Sequence, residues 1–373
     1  MAIKIVPYTA DRVPSVQAFN QRMLEGETGW GWYEWAEDDW MPPREGAEIW
    51  REHHVAIDDE GEVRGAFALK PQPWLIRGEI KTVTDWQGPV SEGLLSRKYA
   101  TLGLRMIRDM LKKYPLLYSW GHGGNEGAML QLLVTLKWLI HETPFCLKVR
   151  HPFRFLRRNR YLRNSARNRI ALDLLAFTGA GWLGFKLLHF ALGLGKSRDK
   201  GLETTIVDEF GDWADVVWKN CSPAYQALGL RDAETMNRLV PKVGWPGGIR
   251  LRIRRGGEDI GWAVVLDNAL ENDPRFGDLR VGCVADCLAL PQDTEAVLSE
   301  ATRFLEARGV DMIGSNQSHP AWVEGFKKQG YLILADRRCF AASPALQEAM
   351  APFDETKAGL HLTNMDGHGP HGF

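Results

Sequence analysis

The chain has no C-x-x-C pair, no G-x-x-x-x-G-K-[ST] phosphate loop, no G-x-S-x-G elbow and no H-E-x-x-H. Zinc hydrolysis, nucleoside-triphosphate chemistry and serine-hydrolase chemistry therefore have no motif to rest on, and no metal site is expected. Its five cysteines, Cys146, Cys221, Cys283, Cys287 and Cys339, are scattered and odd in number. That argues against a disulfide framework and fits thiols kept in a reducing cytoplasm. Charge of either sign is not in excess: 46 Lys and Arg stand against 47 Asp and Glu. A nucleic-acid partner is not expected, and any site for an acidic partner must be local. The opening MAIKIVPYTADRVP lacks the basic and apolar regions of a secretory signal, so a cytoplasmic chain is expected. A membrane span needs about 20 predominantly apolar residues. The best stretch, residues 170–195, is interrupted by Asp173, Lys186, His189 and several glycines.

What is present is a repeat. With 373 residues, 45% of them apolar, the chain can bury two cores. Residues 55–69 and 251–266 each read as a hairpin around a polar, Gly-containing turn. Each hairpin leads to a strand carrying an acid, Asp85 and Asp286, and then to a helix-period segment, 94–113 and 294–308. Each helix is followed by a strand that ends near an Asn, Asn125 and Asn316, and then by a second helix and a closing strand. The offsets between the pairs Gly65/Gly261, Asp85/Asp286 and Asn125/Asn316 are 196, 201 and 191, close enough to indicate two copies of one unit. The expected organisation is a first domain over 1–147, a basic and apolar helical connector over 148–202, a second domain over 203–345 and a disordered tail over 346–373. The fold class is α/β, with two tandem mixed β-sheets and flanking helices.

The stretch SNQSHPAWVEGFKKQGYLIL, from Ser315, carries the clearest resemblance. Asn316 closes a strand, a helix starts near Pro320, and Gly330-Tyr331 opens the next strand. This resembles the GNAT (Gcn5-related N-acetyltransferase) superfamily, with Gly330-Tyr331 at the family's Gly-Phe and Phe326 at its helical Tyr. The first copy, NEGAMLQLLVTLKW, keeps Asn125 and Ala128 but has Leu132 or Leu133 at the Tyr and Lys137-Trp138 at the Gly-Phe. The resemblance covers residues 3–145 and 203–342 and is similar to tandem GNAT-type proteins of bacterial surface-polysaccharide and acyltransfer pathways. LGLRDAETMNRLV, with Arg231-Asp232, adds to it.

The resemblance implies a thioester donor, acetyl-CoA or another acyl-CoA, whose pantetheine arm pairs with a strand edge exposed between two splayed strands. It implies a pyrophosphate held on backbone N–H groups at a helix start. The family's Gly-rich loop is replaced here by VSEGLLSRKYATLG, where Val90, Arg97, Lys98, Ala100, Thr101 and, further on, Asn125 are the expected donor contacts. In the second copy Asp293 and Glu295 occupy that place and would repel phosphate, so the donor site is expected in the first copy.

Amine acylation needs a base for the ammonium proton and an acid for the leaving thiolate. Asp85 on the central strand and His122 in SWGHGGN are the candidate bases, set against a strand-end carboxylate and a surface turn. Tyr118 is the candidate acid, set against a packed strand tyrosine. GETGWGWYEWAEDDWMPP offers Trp30, Trp32, Tyr33 and Trp35 to a sugar face or an amine, or else a lid packed on the core. Residues 148–195, with nine Lys and Arg between Lys148 and Arg169, are expected either as a solvated face with a packed helix or as a dock for an anionic membrane surface or an acyl carrier protein. The expected activity is acyl transfer from a thioester to a small-molecule amine, in the cytoplasm or peripheral to the inner membrane. A degenerate GNAT-fold scaffold and a carrier-protein-dependent acyltransferase are the alternatives.

Overall fold

A computed structural model describes residues 3–37, 41, 46–121, 127–192, 201–242, 248–335 and 338–367. The chain divides into two units, Met1–Glu142 with Arg337–Thr356 and Thr143–Asp336 with Lys357–Phe373. The first unit runs β1 (Lys4–Pro7), α1 (Val13–Glu25), β2 (Glu52–Ile57), β3 (Val63–Ile76), β4 (Glu79–Ser91), α2 (Leu102–Lys113), β5 (Leu117–Trp120), α3 (Ala128–Thr135) and β6 (Leu139–Glu142). The second continues with β7 (Phe145–Val149), α4 (Pro152–Arg158), α5 (Ala166–Phe177), α6 (Ala180–Leu192), β8 (Leu202–Val207), α7 (Asp212–Cys221), β9 (Ala227–Gly229) and α8 (Ala233–Leu239). It then runs β10 (Ile249–Arg255), β11 (Glu258–Ala269), β12 (Arg280–Ala289), α9 (Thr294–Ala307), β13 (Met312–Asn316), α10 (Pro320–Lys328) and β14 (Leu332–Leu334). The chain returns to the first unit for β15 (Cys339–Ala342), α11 (Pro344–Ala349) and α12 (Phe353–Thr356), and ends in the second with β16 (Leu360–His361).

The first sheet has the order β1-β2-β3-β4-β5-β15-β6 and the second β14-β7-β13-β12-β11-β10-β8. Neither follows the sequence boundaries expected at 147 and 345. β7 pairs with β13 and β14 in the second sheet, while β15 pairs with β5 and β6 in the first. Short apolar-rich runs such as FCLKV and CFAA suit a strand but do not say which sheet it joins. The disordered tail expected from 346 is also corrected over 346–367. Residues 360–366 are buried, and β16 pairs in parallel with β9. The Gly- and His-rich end masks the apolar, ordered LHLTNM just before it.

Local sequence accounts for the elements that position the site. α1 starts with Pro14 in its first turn and buries Val16, Phe19 and Met23 on one face. α2 buries Leu102, Met106, Ile107 and Met110 and ends in Lys112-Lys113, which suit the negative end of its dipole. β3 and β4 form a long hairpin through Arg77-Gly78, both at positive φ, as a two-residue turn requires. β3 contains Pro71 and Pro73, which obscure it in the sequence. Both lie beyond Leu69, where pairing with β2 ends, so neither removes a bond from that ladder. The two faces of the first sheet carry separate cores. Phe67, Leu69 and Trp86 pack with α2 on one side, and Ala66, Ala68 and Val90 pack with α1 on the other.

Candidate active site

β4 and β5 run in parallel but share only two rungs, Thr84 with Leu117 and Asp85 with Tyr118. Among the described residues the ladder stops there, while β4 continues to Ser91. A bulge explains the divergence. Ala68 faces Gln87 and Ala66 faces Val90, so Gly88 and Pro89 stand against the single residue Phe67. Gly88 takes a φ of 54°, a conformation that glycine adopts without a Cβ penalty, and the bulge turns β4 away from β5. Just past the last rung, Ser119 Oγ donates to Trp86 O at 2.7 Å and braces the mouth of the opening.

The last rung sets Asp85 and Tyr118 side by side. Registered neighbours on parallel strands project to the same face, so two of the three residues expected to do chemistry meet where the strands part. Lys70 stands opposite Asp85 on β3. Gln87 Nε2 donates to Asp85 Oδ2 at 2.7 Å, Arg51 Nε donates to Gln87 Oε1 at 2.8 Å, and Gln72 Nε2 reaches Tyr118 Oη at 3.4 Å. Lys70, Gln72, Asp85, Gln87 and Tyr118 are all buried. This polar row sits on the face opposite α2.

The aromatic stretch borders the same row. Trp32 is buried at 8% exposure, and its ring lies 3.4 Å from where a Cβ on Gly88 would be. Asn20 fixes it through both backbone groups, donating to Trp32 O at 2.8 Å and accepting from Trp32 N at 2.7 Å. Tyr33 lies beneath the Arg51 guanidinium, 5.4 Å from the ring centroid, so the hydrogen-bonded line from Asp85 through Gln87 to Arg51 ends on this aromatic group. Trp30 and Trp35 are 65% and 52% exposed. Of the four expected acceptor contacts, Trp32 and Tyr33 adjoin the row, while Trp30 and Trp35 face outward.

Sequence reasoning passed over His53. It is buried on β2, pairs in register with Ala68, and its ring lies 5.5 Å from Trp32 and 5.4 Å from Tyr33. Strand parity in EHHVAI was the available signal: His53 falls on the face of Ala68 and His54 on that of Phe67. His122 and Asn125 lie outside the described residues, as do Asp38, Asp39 and Trp40.

Beyond β4 the chain makes two 3₁₀ turns, Glu92–Leu94 and Arg97–Tyr99, before α2. Glu92 is a structural anchor: Arg22 Nε lies at 2.6 Å from its carboxylate and Arg64 Nη1 at 3.1 Å. Arg97, Lys98, Ala100 and Thr101 are exposed, and Val90 is buried at the bulge. Thr101 caps α2 without a side-chain hydrogen bond, and no acid lies in the first turn. Two cations, a small residue and an uncapped helix start suit a phosphate in spite of the missing glycine loop. The counterpart at α9 differs. Its first turn carries Glu295, and Asp293 pairs with Arg255 at 2.6 Å.

The second unit repeats the parting of strands and fills it. β12 and β13 share three rungs, ending at Cys283 with Gly314, and Ser315 Oγ donates to Val284 O at 2.7 Å as Ser119 does in the first unit. Here the C-terminal segment enters. Leu362 N donates to Ser318 Oγ at 2.7 Å, Ser318 N donates to Leu362 O at 3.3 Å, and the His361 ring meets Cys287 O at 2.8 Å through Nε2. Arg231 locks the segment. Its Nε lies 3.1 Å from Asp286 Oδ2, and its Nη2 lies 2.7 Å from Asp366 Oδ2 and 3.2 Å from Thr363 Oγ1. Burial and the neighbouring Asp366 push the Asp286 carboxyl up to about 6 against the pull of Arg231. Burial tends to lower the Arg231 guanidinium, but the two carboxylates prevail and raise it. Burial, with Arg231 nearby, holds His361 well below the usual histidine range, and burial brings His319 down to about 4.

The expected equivalence of Asp85 and Asp286 is corrected by register. Leu266 faces Cys283 as Lys70 faces Asp85, and Val264 faces Asp286 as Ala68 faces Gln87. Asp286 therefore takes the place of Gln87, and the counterpart of Asp85 is Cys283, so the offset of 201 joined two positions that are not equivalent. His319 caps α10 through its ring, accepting from Ala321 N at 3.2 Å.

Solved structures share this architecture. N-myristoyltransferase from Saccharomyces cerevisiae, determined with bound myristoyl-CoA and inhibitors, superposes at a TM-score of 0.51 and 9% identity over 91% of this chain and 79% of that one. A protein of Enterococcus faecalis described as a probable N-acyltransferase gives 0.51 and 8% over 94% and 74%, and a GCN5-related N-acetyltransferase from Anabaena variabilis 0.51 and 10% over 91% and 72%. The fold is the GNAT fold, present twice. No protein-family model matches the chain, and no curated protein matches it by sequence. Among the described residues no cluster of His, Cys, Asp or Glu is arranged to hold a metal ion.

Proposed function

We propose that the protein is an N-acyltransferase that takes its acyl group from a CoA thioester in the first GNAT unit. The observation that carries this reading is the contrast between the two strand openings. The ladder between β4 and β5 ends at Asp85, whereas the opening between β12 and β13 is occupied by residues 360–366 and locked by Arg231. In this reading the pantetheine arm lies along β4 beyond Asp85 and the pyrophosphate meets the start of α2. The second unit has a structural role. The amine nitrogen attacks the thioester carbonyl, the C–N bond forms and the C–S bond breaks. Asp85 receives the proton lost by the amine, directly or through water, and Tyr118 supplies one to the departing thiolate. Trp32, Tyr33 and Arg51 border the acceptor side, which suits an amine on a sugar or on an amino-acid-like molecule, as in the assembly of bacterial surface polysaccharides. Acetyl-CoA is the smallest donor of this class.

The test is turnover and binding with the full chain. Free thiol release is followed with acetyl-CoA, longer acyl-CoAs and an acyl-acyl carrier protein, each with amine acceptors. Thiol release that requires both thioester and amine is expected. Absence of binding and of turnover with every donor would leave the degenerate scaffold, and turnover with the carrier protein alone would favour that donor. Thr101→Glu gives a sharper check. An acid at a helix start favours the helix, so folding is kept, yet it opposes a phosphate at the same place. The Kd for CoA by titration calorimetry is expected to rise about tenfold or more, near 1.4 kcal/mol. An unchanged Kd would mean that the phosphates bind elsewhere.

A further inference from the structure

Helices α5 and α6 form an elbow bent by 75° at Thr178-Gly179, where Gly179 takes a φ of 75°. Only a narrow stripe of α6 faces inward. Gly181 lets it approach Leu156, Phe185 packs beside Phe155, and the His189 ring bonds to Gly330 O at 2.7 Å and Val149 O at 3.0 Å. The outer surface is apolar as well. Ile170, Leu174, Phe177, Trp182, Leu187 and Phe190 are each at least half exposed, Phe177 and Phe190 at 67% and 68%. Scattered exposed apolar residues are ordinary, but a contiguous patch of large ones marks an interaction surface.

Charge narrows the choice of partner. Residues 148–192 hold ten Lys and Arg, of which Lys148 and Arg150 are paired with Glu306 and Arg154 with Asp311, and one acid, Asp173. That acid is already paired with Arg157 at 2.9 Å and Arg163 at 2.5 Å. Arg167 and Arg169 on α5 and Lys186 on α6 are exposed, and Lys186 lies 4.5 Å from the Trp182 ring centroid. No single described helix is long and apolar enough to cross a bilayer. Two helices of 12 and 13 residues, about 18–20 Å each, bent sharply apart, suit lying in the interface. Apolar residues on the exposed flank with cations beside them are the signature of a helix embedded at the headgroup boundary of an anionic membrane. An acidic carrier protein would match the arginines but would leave the aromatic and aliphatic surface unaccounted for.

We propose that the α5–α6 elbow docks the protein on an anionic lipid surface, seating its outer apolar residues among the lipid chains and its Arg and Lys side chains against the phosphates. The proposal is independent of the donor site and is tested without it. The full chain is sedimented with vesicles of phosphatidylcholine alone and with phosphatidylglycerol mixed in, as wild type, as Leu187→Glu/Phe190→Glu and as Arg167→Glu/Arg169→Glu. Wild type should bind the anionic vesicles at least roughly tenfold more tightly than the neutral ones, and added salt should weaken it. The apolar variant should lose binding to both vesicles and keep the wild-type melting temperature, because the replaced side chains face outward. The Arg variant should lose the preference for anionic lipid. Failure of wild type to sediment with either vesicle would overturn the proposal. So would self-association, or capture of an acidic acyl carrier protein, that Leu187→Glu/Phe190→Glu abolishes while vesicle binding is unaffected.

Discussion

Asp85→Asn is expected to lower kcat for amine acylation by roughly 10²–10⁴-fold, the usual contribution of a positioned base, with the Kd for the CoA thioester unchanged. Asparagine has nearly the same shape, so the strand and its bulge should persist, while the capacity to take a proton and the negative charge opposite Lys70 are both removed. The carboxylate stands beside Tyr118 on the final rung of the ladder and accepts from Gln87. Because Asp85 is buried opposite Lys70, the melting temperature has to be measured alongside. A loss of activity no larger than the loss of folded protein would make Asp85 a structural charge and remove it from the mechanism.

Arg231→Met should produce the largest change in stability, roughly 3–5 kcal/mol, because removing one partner of a buried ionic group leaves the others uncompensated. Arg231 is 1% exposed and holds two carboxylates, Asp286 and Asp366, of which the second belongs to the segment filling the opening between β12 and β13. The sign of the pH dependence follows. The native Asp286 carboxyl titrates above its ordinary value, and loss of Arg231 raises it further. A carboxyl with a raised native pKa costs stability as pH rises from its ordinary value through the native one. The defect should therefore be smaller at pH 5 than at pH 8. Hydrogen exchange of the β12 and 360–366 amides reads this locally. Protection that persists in the variant at pH 8 would show that the segment is held by its backbone pairing alone.

The parts of the fold legible in the sequence are those set by short-range chemistry. The turn at 58–62 and the helix entry at His319-Pro320 stand where the sequence places them. So does α9, Thr294–Ala307, where the sequence shows a helix-period segment over 294–308. The exchange of β7 and β15 was not legible, since pairing partners depend on which sheet edge is open and a five-residue run cannot encode that. Asp85 and Tyr118 could be singled out because each lies in a recognisable strand, but the register that sets them side by side could not be read from the sequence. Gln87 was within reach by parity, two residues along on the same face, but Arg51 reaches it from outside any strand. The plugging segment 360–366 was hidden because its value lies in Arg231, more than a hundred residues earlier, where Arg231-Asp232 drew notice without a role. Arg231 now has one, and Asp232 caps α8, accepting from Thr235 N at 2.8 Å.

The most direct measurement is a structure of the full chain with acetyl-CoA bound. The account predicts the pantetheine arm alongside residues 86–91 of β4, the thioester carbon near Asp85 and Tyr118, and the pyrophosphate at the start of α2 between Arg97 and Thr101. A thioester seated in the second unit after displacement of residues 360–366, or one bound away from β4 altogether, would contradict it.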